Sequence, residues 1–176
     1  MHRTARLTLA TALVLALGLA PALPLAAAEN DPPERRLSAK ELNGLMVALD
    51  REYRLQAVYD LAVAEYGARQ PFLTARSIQR ARVDALQKIY RRHDLAVPRN
   101  PWLERLQGFS SPAQACVAAY RGELEIEGLL DRLDEATERA DLSSAYGSSR
   151  EPGTWRNALR DCALDASVEE AVAAGR

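Results

Sequence analysis

Apolar positions in this chain recur mainly at three- and four-residue steps, the spacing of helices that bury one face. The clearest such element begins at Ser38. Glu41 follows three residues later to complete a capping box, and Leu37 and Leu42 are placed to form a hydrophobic staple across it. A long helix is predicted from there to about Tyr66, ending at Gly67. Its seam contains Leu45, Leu49, Tyr59 and Val63, yet the two middle positions of the same seam are Glu52 and Gln56. A carboxylate in a core-facing stripe must meet a metal, a cation or a proton, because burying the bare charge is prohibitive.

Pro71 opens a second predicted helix through about His93, with Phe72, Val83, Leu86, Ile89 and Tyr90 as its apolar stripe and Gln79 and Arg82 on or beside it. The segment from Asp94 to Asn100 contains Pro98 and breaks the helix. A short turn follows over Pro101 to Leu106, with Trp102 folded back onto the core. Ser111, Pro112 and Gln114 mark the start of a third long helix through a cap, a first-turn proline and a second capping box. Cys116, Val117, Tyr120, Leu124, Leu130 and Leu133 read as its buried side. Glu123, Glu125 and Glu127 crowd its middle, and two of the three belong on a solvated face. Beyond Arg139 the pattern weakens. One or two turns are expected over Asp141 to Tyr146, a breaker-rich loop over Gly147 to Gly153, and helix again over Thr154 to Ala163 with Trp155, Leu159 and Cys162. The fold class is therefore all-α, an up-down antiparallel four-helix bundle whose last helix is fragmented.

The N-terminus stands apart from this periodicity. His2, Arg3 and Arg6 precede an apolar run from Leu7 to Ala20, then Pro21, Pro24 and the track Ala26-Ala27-Ala28, the layout of a secretory signal peptide over 1–28. An uncleaved membrane anchor is the competing reading. The expected organisation is signal peptide 1–28, disordered lead 29–37, helical bundle 38–163 and an alanine-rich tail 164–176. Composition fits an exported globular domain, with 48% hydrophobic and 27% charged residues. Removing Arg3 and Arg6 from 23 basic residues leaves 21 against 24 acidic ones, a net charge of −3. That balance argues against nucleic acid or a membrane as partner and leaves a protein partner or a second copy of the chain. Cys116 and Cys162 are the only cysteines, an even count that implies a disulfide in a periplasmic or secreted protein. His93 is the only histidine beyond the signal segment, placed at a helix end where it favours the helix dipole over metal binding.

Several short motifs, taken in order, resemble the exported ferritin-like proteins of domain of unknown function 2202. They are Asp50-Arg51-Glu52-Tyr53-Arg54, Pro71-Phe72, Ala85-Leu86, Pro98-x-x-Pro101-Trp102, Ala115-Cys116, Asp131-Arg132-Leu133 and the closing Cys162, spanning Leu42 to Cys162. The resemblance implies a ferritin-like bundle, whose better-known relatives hold two metal ions through glutamates and Glu-x-x-His pairs. Carried over position by position, Glu52 matches the first-helix glutamate. Gln79 stands where the second-helix glutamate belongs, and Arg82 where its histidine belongs. Glu125, rather than Glu123, matches the third-helix glutamate, and Trp155 takes the place of the late histidine. Glutamine replaces a bridging carboxylate poorly, arginine is a permanent cation, and tryptophan offers no ligand atom.

These departures lead to one expectation, that Arg82 occupies the metal's electrostatic role. It would pair with Glu52 and with Glu125, while Gln79 and Gln56 fill hydrogen bonds. A half-exposed Glu52 at the seam's edge and a surviving metal ligand are the alternatives. Tyr53, Tyr59, Tyr90 and Tyr120 read as packing. With no nucleophile–base arrangement and no phosphate-binding loop, hydrolase and nucleotide chemistry lack support. The function expected is a non-catalytic exported bundle without a cofactor, acting structurally or through a partner. The alternative is a residual iron- or manganese-binding protein or metal-dependent oxidase.

Overall fold

The computed structural model describes residues 36–148 and 154–174, with side chains to Asp165. The expected signal peptide and most of the expected lead lie outside the described residues, as does the loop between 148 and 154. The described residues are all-helical and contain no strand: α1 (Ala39–Tyr66), α2 (Phe72–Arg92), a 3-10 turn (Trp102–Glu104), α3 (Pro112–Glu135), α4 (Ala140–Gly147) and α5 (Thr154–Ala174). None of these helices is long and apolar enough to cross a membrane.

Local chemistry sets the helix ends. At α1, the Ser38 hydroxyl accepts from the Glu41 N–H and the Glu41 carboxylate accepts from the Ser38 N–H at 2.7 Å, so two otherwise orphaned donors are satisfied. Leu37, at the end of the expected lead, packs against the core. Gly67 ends α1 with φ 84°, a conformation that side-chain-bearing residues rarely adopt. With 28 residues, α1 is about 40 Å long at about 1.5 Å per residue. At α3 the Ser111 hydroxyl accepts from the Gln114 N–H, but the Gln114 side chain reaches back to the Ser110 N–H at 2.7 Å rather than to that of Ser111. The second capping box is thus displaced by one residue. α5 continues through Ala163 to Ala174, well into the segment read as a tail.

α1 packs on α2 and α3, α3 packs on α5 and α4, and α2 touches both α4 and α5. The shared core is built on Leu45, Leu49, Tyr59, Phe72, Leu86, Leu142, Tyr146 and Leu159, each with 2% exposure or less. The α2 stripe is the one its sequence predicts. The α3 stripe is so only at Cys116 and Leu130. Its buried positions are Ala115, Cys116, Ala119, Glu123, Ile126 and Leu130, while Leu124 is 47% exposed and Val117, Tyr120 and Leu133 are only half-buried. In the first half of α3 small alanines face the neighbouring helices, while Val117, Tyr120 and Leu124 stand at the margin.

A disulfide joins Cys116, in the first turns of α3, to Cys162 on α5, with Cα atoms 5.8 Å apart. A second tie secures the α2–α3 connection to α1. Tyr53 donates to the Pro98 carbonyl at 2.8 Å, Asn100 donates to the Tyr53 carbonyl at 3.0 Å, and the Trp102 indole donates to Asp50 at 2.9 Å. Gln56 belongs to this strap: its side-chain oxygen accepts from Asn100, and it is half-buried.

Candidate functional site

Four helices each send side chains to one buried polar cluster. Glu52 and Tyr59 come from the α1 seam, seven residues and two turns apart and therefore on one face. Gln79 and Arg82 come from α2 at three-residue spacing, Glu123 from α3 and Trp155 from α5. Glu52 and Gln79 are fully buried, Glu123 is 1% exposed and Arg82 is 3% exposed.

Arg82 is the hub. Its two terminal nitrogens donate to the two Glu123 oxygens at 2.9 and 3.0 Å, a bidentate pair. On the other side its Nε lies 3.1 Å from Glu52 Oε1 and donates to Oε2 at 3.3 Å. The Trp155 ring lies 5.9 Å from the guanidinium carbon, within cation–π reach. Gln79 donates to the Glu52 backbone carbonyl and to Glu52 Oε2 at 3.3 Å, and Tyr59 donates its hydroxyl proton to Glu123 at 2.6 Å.

Two carboxylates face one guanidinium, and burial decides how the imbalance resolves. Desolvation pushes the Glu52 carboxyl up to about 7; the Arg82 charge draws it down and the Glu123 charge pushes it further up. Burial alone would favour a neutral Arg82, but the Glu52 and Glu123 charges outweigh it and hold the guanidinium more firmly protonated than usual. Tyr59 is pushed well above its ordinary range by burial and by Glu123, so it stays a donor. Below about pH 7 the cluster thus approaches balance by keeping a proton on Glu52. Oε1 of Glu52 and Oε1 of Gln79 are buried without a hydrogen-bond donor, an environment short of donors for an ionised Glu52.

The sign of the resulting pH dependence follows from linkage. A carboxyl whose folded pKa is raised holds more protons folded than unfolded, so its contribution is full at acid pH and falls as pH rises from about 4.5 to about 7. Glu52→Gln keeps the neutral shape and removes the titration. Urea midpoints measured from pH 4 to pH 9 are expected to show a decline through this window that the variant lacks; parallel curves would refute a buried titrating Glu52.

The expected site residues are placed as follows. Glu52, Gln79, Arg82 and Trp155 come together. Glu125 does not: it is exposed, 3.8 Å from Arg54, and Glu123 takes the inward position. The physical reason is helical register, since Glu123 follows Cys116 by seven residues and shares its face, with Ala119 between them. Gln56 is likewise outside the cluster, held by Asn100. Tyr59, read only as packing, is a member. Its position seven residues after Glu52 was the available signal. His93 sits apart at the end of α2, its Nε2 2.9 Å from Asp141, which also accepts two bonds from Arg139. Burial opposes ionisation of Asp141, but the bonds from Arg139 and His93 prevail and hold it well below the usual carboxylate range.

The cluster does not suit the metal pair that the ferritin-like resemblance implies. The volume between its carboxylates is filled by a permanent cation, and the remaining members are an amide, a phenol and an indole. Among the described residues no group of three or more His, Cys, Asp or Glu side chains is arranged to hold a metal ion. Compared with protein-family models, with curated proteins and with solved structures, the chain finds no match.

Proposed function

We propose that this chain is an exported, non-catalytic helical protein with the up-down four-helix topology of the ferritin-like group, in which Arg82 fills the electrostatic role of that group's metal ions. Its role is structural or the binding of a partner. One observation carries the reading: the Arg82 guanidinium lies between Glu52 and Glu123 in a buried site to which α1, α2 and α3 all contribute. Such a group holds helices in register and supplies no open coordination position for chemistry. The Cys116–Cys162 bond supports a periplasmic or extracellular destination, since disulfides persist in oxidising compartments.

Elemental analysis of protein purified without chelator tests the proposal directly. Iron and manganese are expected far below one ion per chain. Near-stoichiometric metal that is lost in Glu52→Gln would replace this reading with that of a residual metal-binding protein or oxidase.

A further inference from the structure

Away from the buried cluster, a groove of about 280 Å³ lies between α1 and α3. Leu55 and Val58 of α1 and Ile126 of α3, all buried, give it an apolar floor. Arg51, Arg54 and Arg121 stand around that floor, with Glu125 as the one acidic residue among them. The groove exists because α3 carries almost no side chain there. A Cβ on Gly122 would meet Leu55 Cδ1 at 2.8 Å, so Gly122 lets Leu55 rest against the α3 backbone, and Ala118 one turn earlier leaves the adjoining space open.

The charges are unequal in their commitments. Arg54 is engaged by Glu125 at 3.8 Å and by the Trp102 ring at 5.6 Å. Arg51 and Arg121 are exposed and have no hydrogen-bond or ion-pair partner among the described residues. Three guanidiniums therefore face one carboxylate over an apolar floor, in a chain whose net charge is −1.

We propose that this groove binds a small amphiphilic carboxylate, its apolar body on Leu55, Val58 and Ile126 and its headgroup between Arg51 and Arg121. The volume suits roughly ten non-hydrogen atoms, judged against benzene in a cavity of about half that size. Besides α1 and α3, the α2–α3 connection lines the groove with Leu106 and Phe109, whose backbone N–H groups are bonded to the Trp102 carbonyl and the Glu65 carboxylate, so the groove lacks the helix N-terminus that commonly cradles phosphate. Guanidinium forks match the two oxygens of a carboxylate. The inference goes beyond the proposed function and uses none of the residues of the buried cluster, so either can fail without the other.

Calorimetric titration of the intact protein with octanoate at low salt is the test. Saturable binding of one octanoate per chain is expected, with 1-octanol and acetate each weaker by roughly tenfold or more, because one lacks the charge and the other the apolar body. Arg51→Glu/Arg121→Glu should weaken octanoate by a similar factor, and both side chains are exposed, so the fold is spared. Ala118→Phe should abolish binding by filling the groove, and Arg80→Glu on α2 should leave it unchanged. No saturable heat with octanoate would overturn the proposal. So would equal affinity for 1-octanol, or undiminished binding by the charge-reversed protein.

Discussion

Arg82→Ala is expected to lower the melting temperature by roughly 10 °C or more at neutral pH, corresponding to a loss of roughly 3–5 kcal/mol. The magnitude comes less from the attraction that is lost than from what remains. Without the guanidinium, Glu52 and Glu123 are two buried carboxyl groups with no cation between them, Trp155 loses one of its cation contacts while keeping Arg156 at 5.5 Å, and a cavity opens at the junction of α1, α2 and α3. Adding Glu123→Gln to Arg82→Ala should recover part of the loss, because one stranded charge is removed. A divalent metal ion added to Arg82→Ala should do likewise, since it supplies a cation for two hard oxygen donors. Arg80→Ala is the control: that side chain is 52% exposed, its bond to Asp60 is 3.3 Å long, and a change of at most about 1 kcal/mol is expected. Thermal melts monitored by circular dichroism measure all four proteins. An unchanged melting point for Arg82→Ala in metal-free buffer would rule out the central role of this residue.

The second large effect is expected from the cystine. Cys116 and Cys162 are 46 residues apart, and the loop-closure entropy removed from the unfolded chain corresponds to roughly 4 kcal/mol. The double substitution Cys116→Ser/Cys162→Ser should therefore shift the urea midpoint strongly downward, as should reduction of the native protein. A reduced protein that melts with the oxidised one would show that the bond adds no constraint. The effect should also be separable from that of Arg82, because the bond acts mainly on the unfolded state and the ion cluster on the folded one.

The sequence carries this architecture unevenly, and the reason differs from helix to helix. α1 is legible because all three of its signals are local: the Ser38–Glu41 box at one end, Gly67 at the other, and large apolar residues marking the seam between them. In α2, Gln79 and Arg82 are conspicuous because they interrupt an otherwise apolar stripe, so their burial follows from spacing alone. α3 misleads because size and burial part company. Leu124 is large and exposed, whereas Ala115 and Ala119 are small and buried, so a stripe drawn through the larger residues runs one position off, and the choice of Glu125 over Glu123 comes from the ferritin-like resemblance, which carries no packing information. The register that places Glu123 inward is present in its seven-residue spacing from Cys116, but the larger residues beside that face mask it. Trp155 illustrates the converse. As a metal ligand it is a loss, but against a guanidinium its ring face is a suitable neighbour, so its meaning depended on Arg82 being buried first. Gln56 shares the α1 seam with Glu52, but the strap through Asn100 covers it, and a loop's return path is not encoded in helical spacing.

The position of the cystine has a consequence for how the molecule tolerates damage. A single backbone cut anywhere between Cys116 and Cys162 leaves two fragments that remain one covalent molecule, because the sulfur bridge spans the break. In a compartment with proteases and no repair, a nicked chain of this kind keeps α5 tethered to the first turns of α3, free to settle back over the Arg82 cluster.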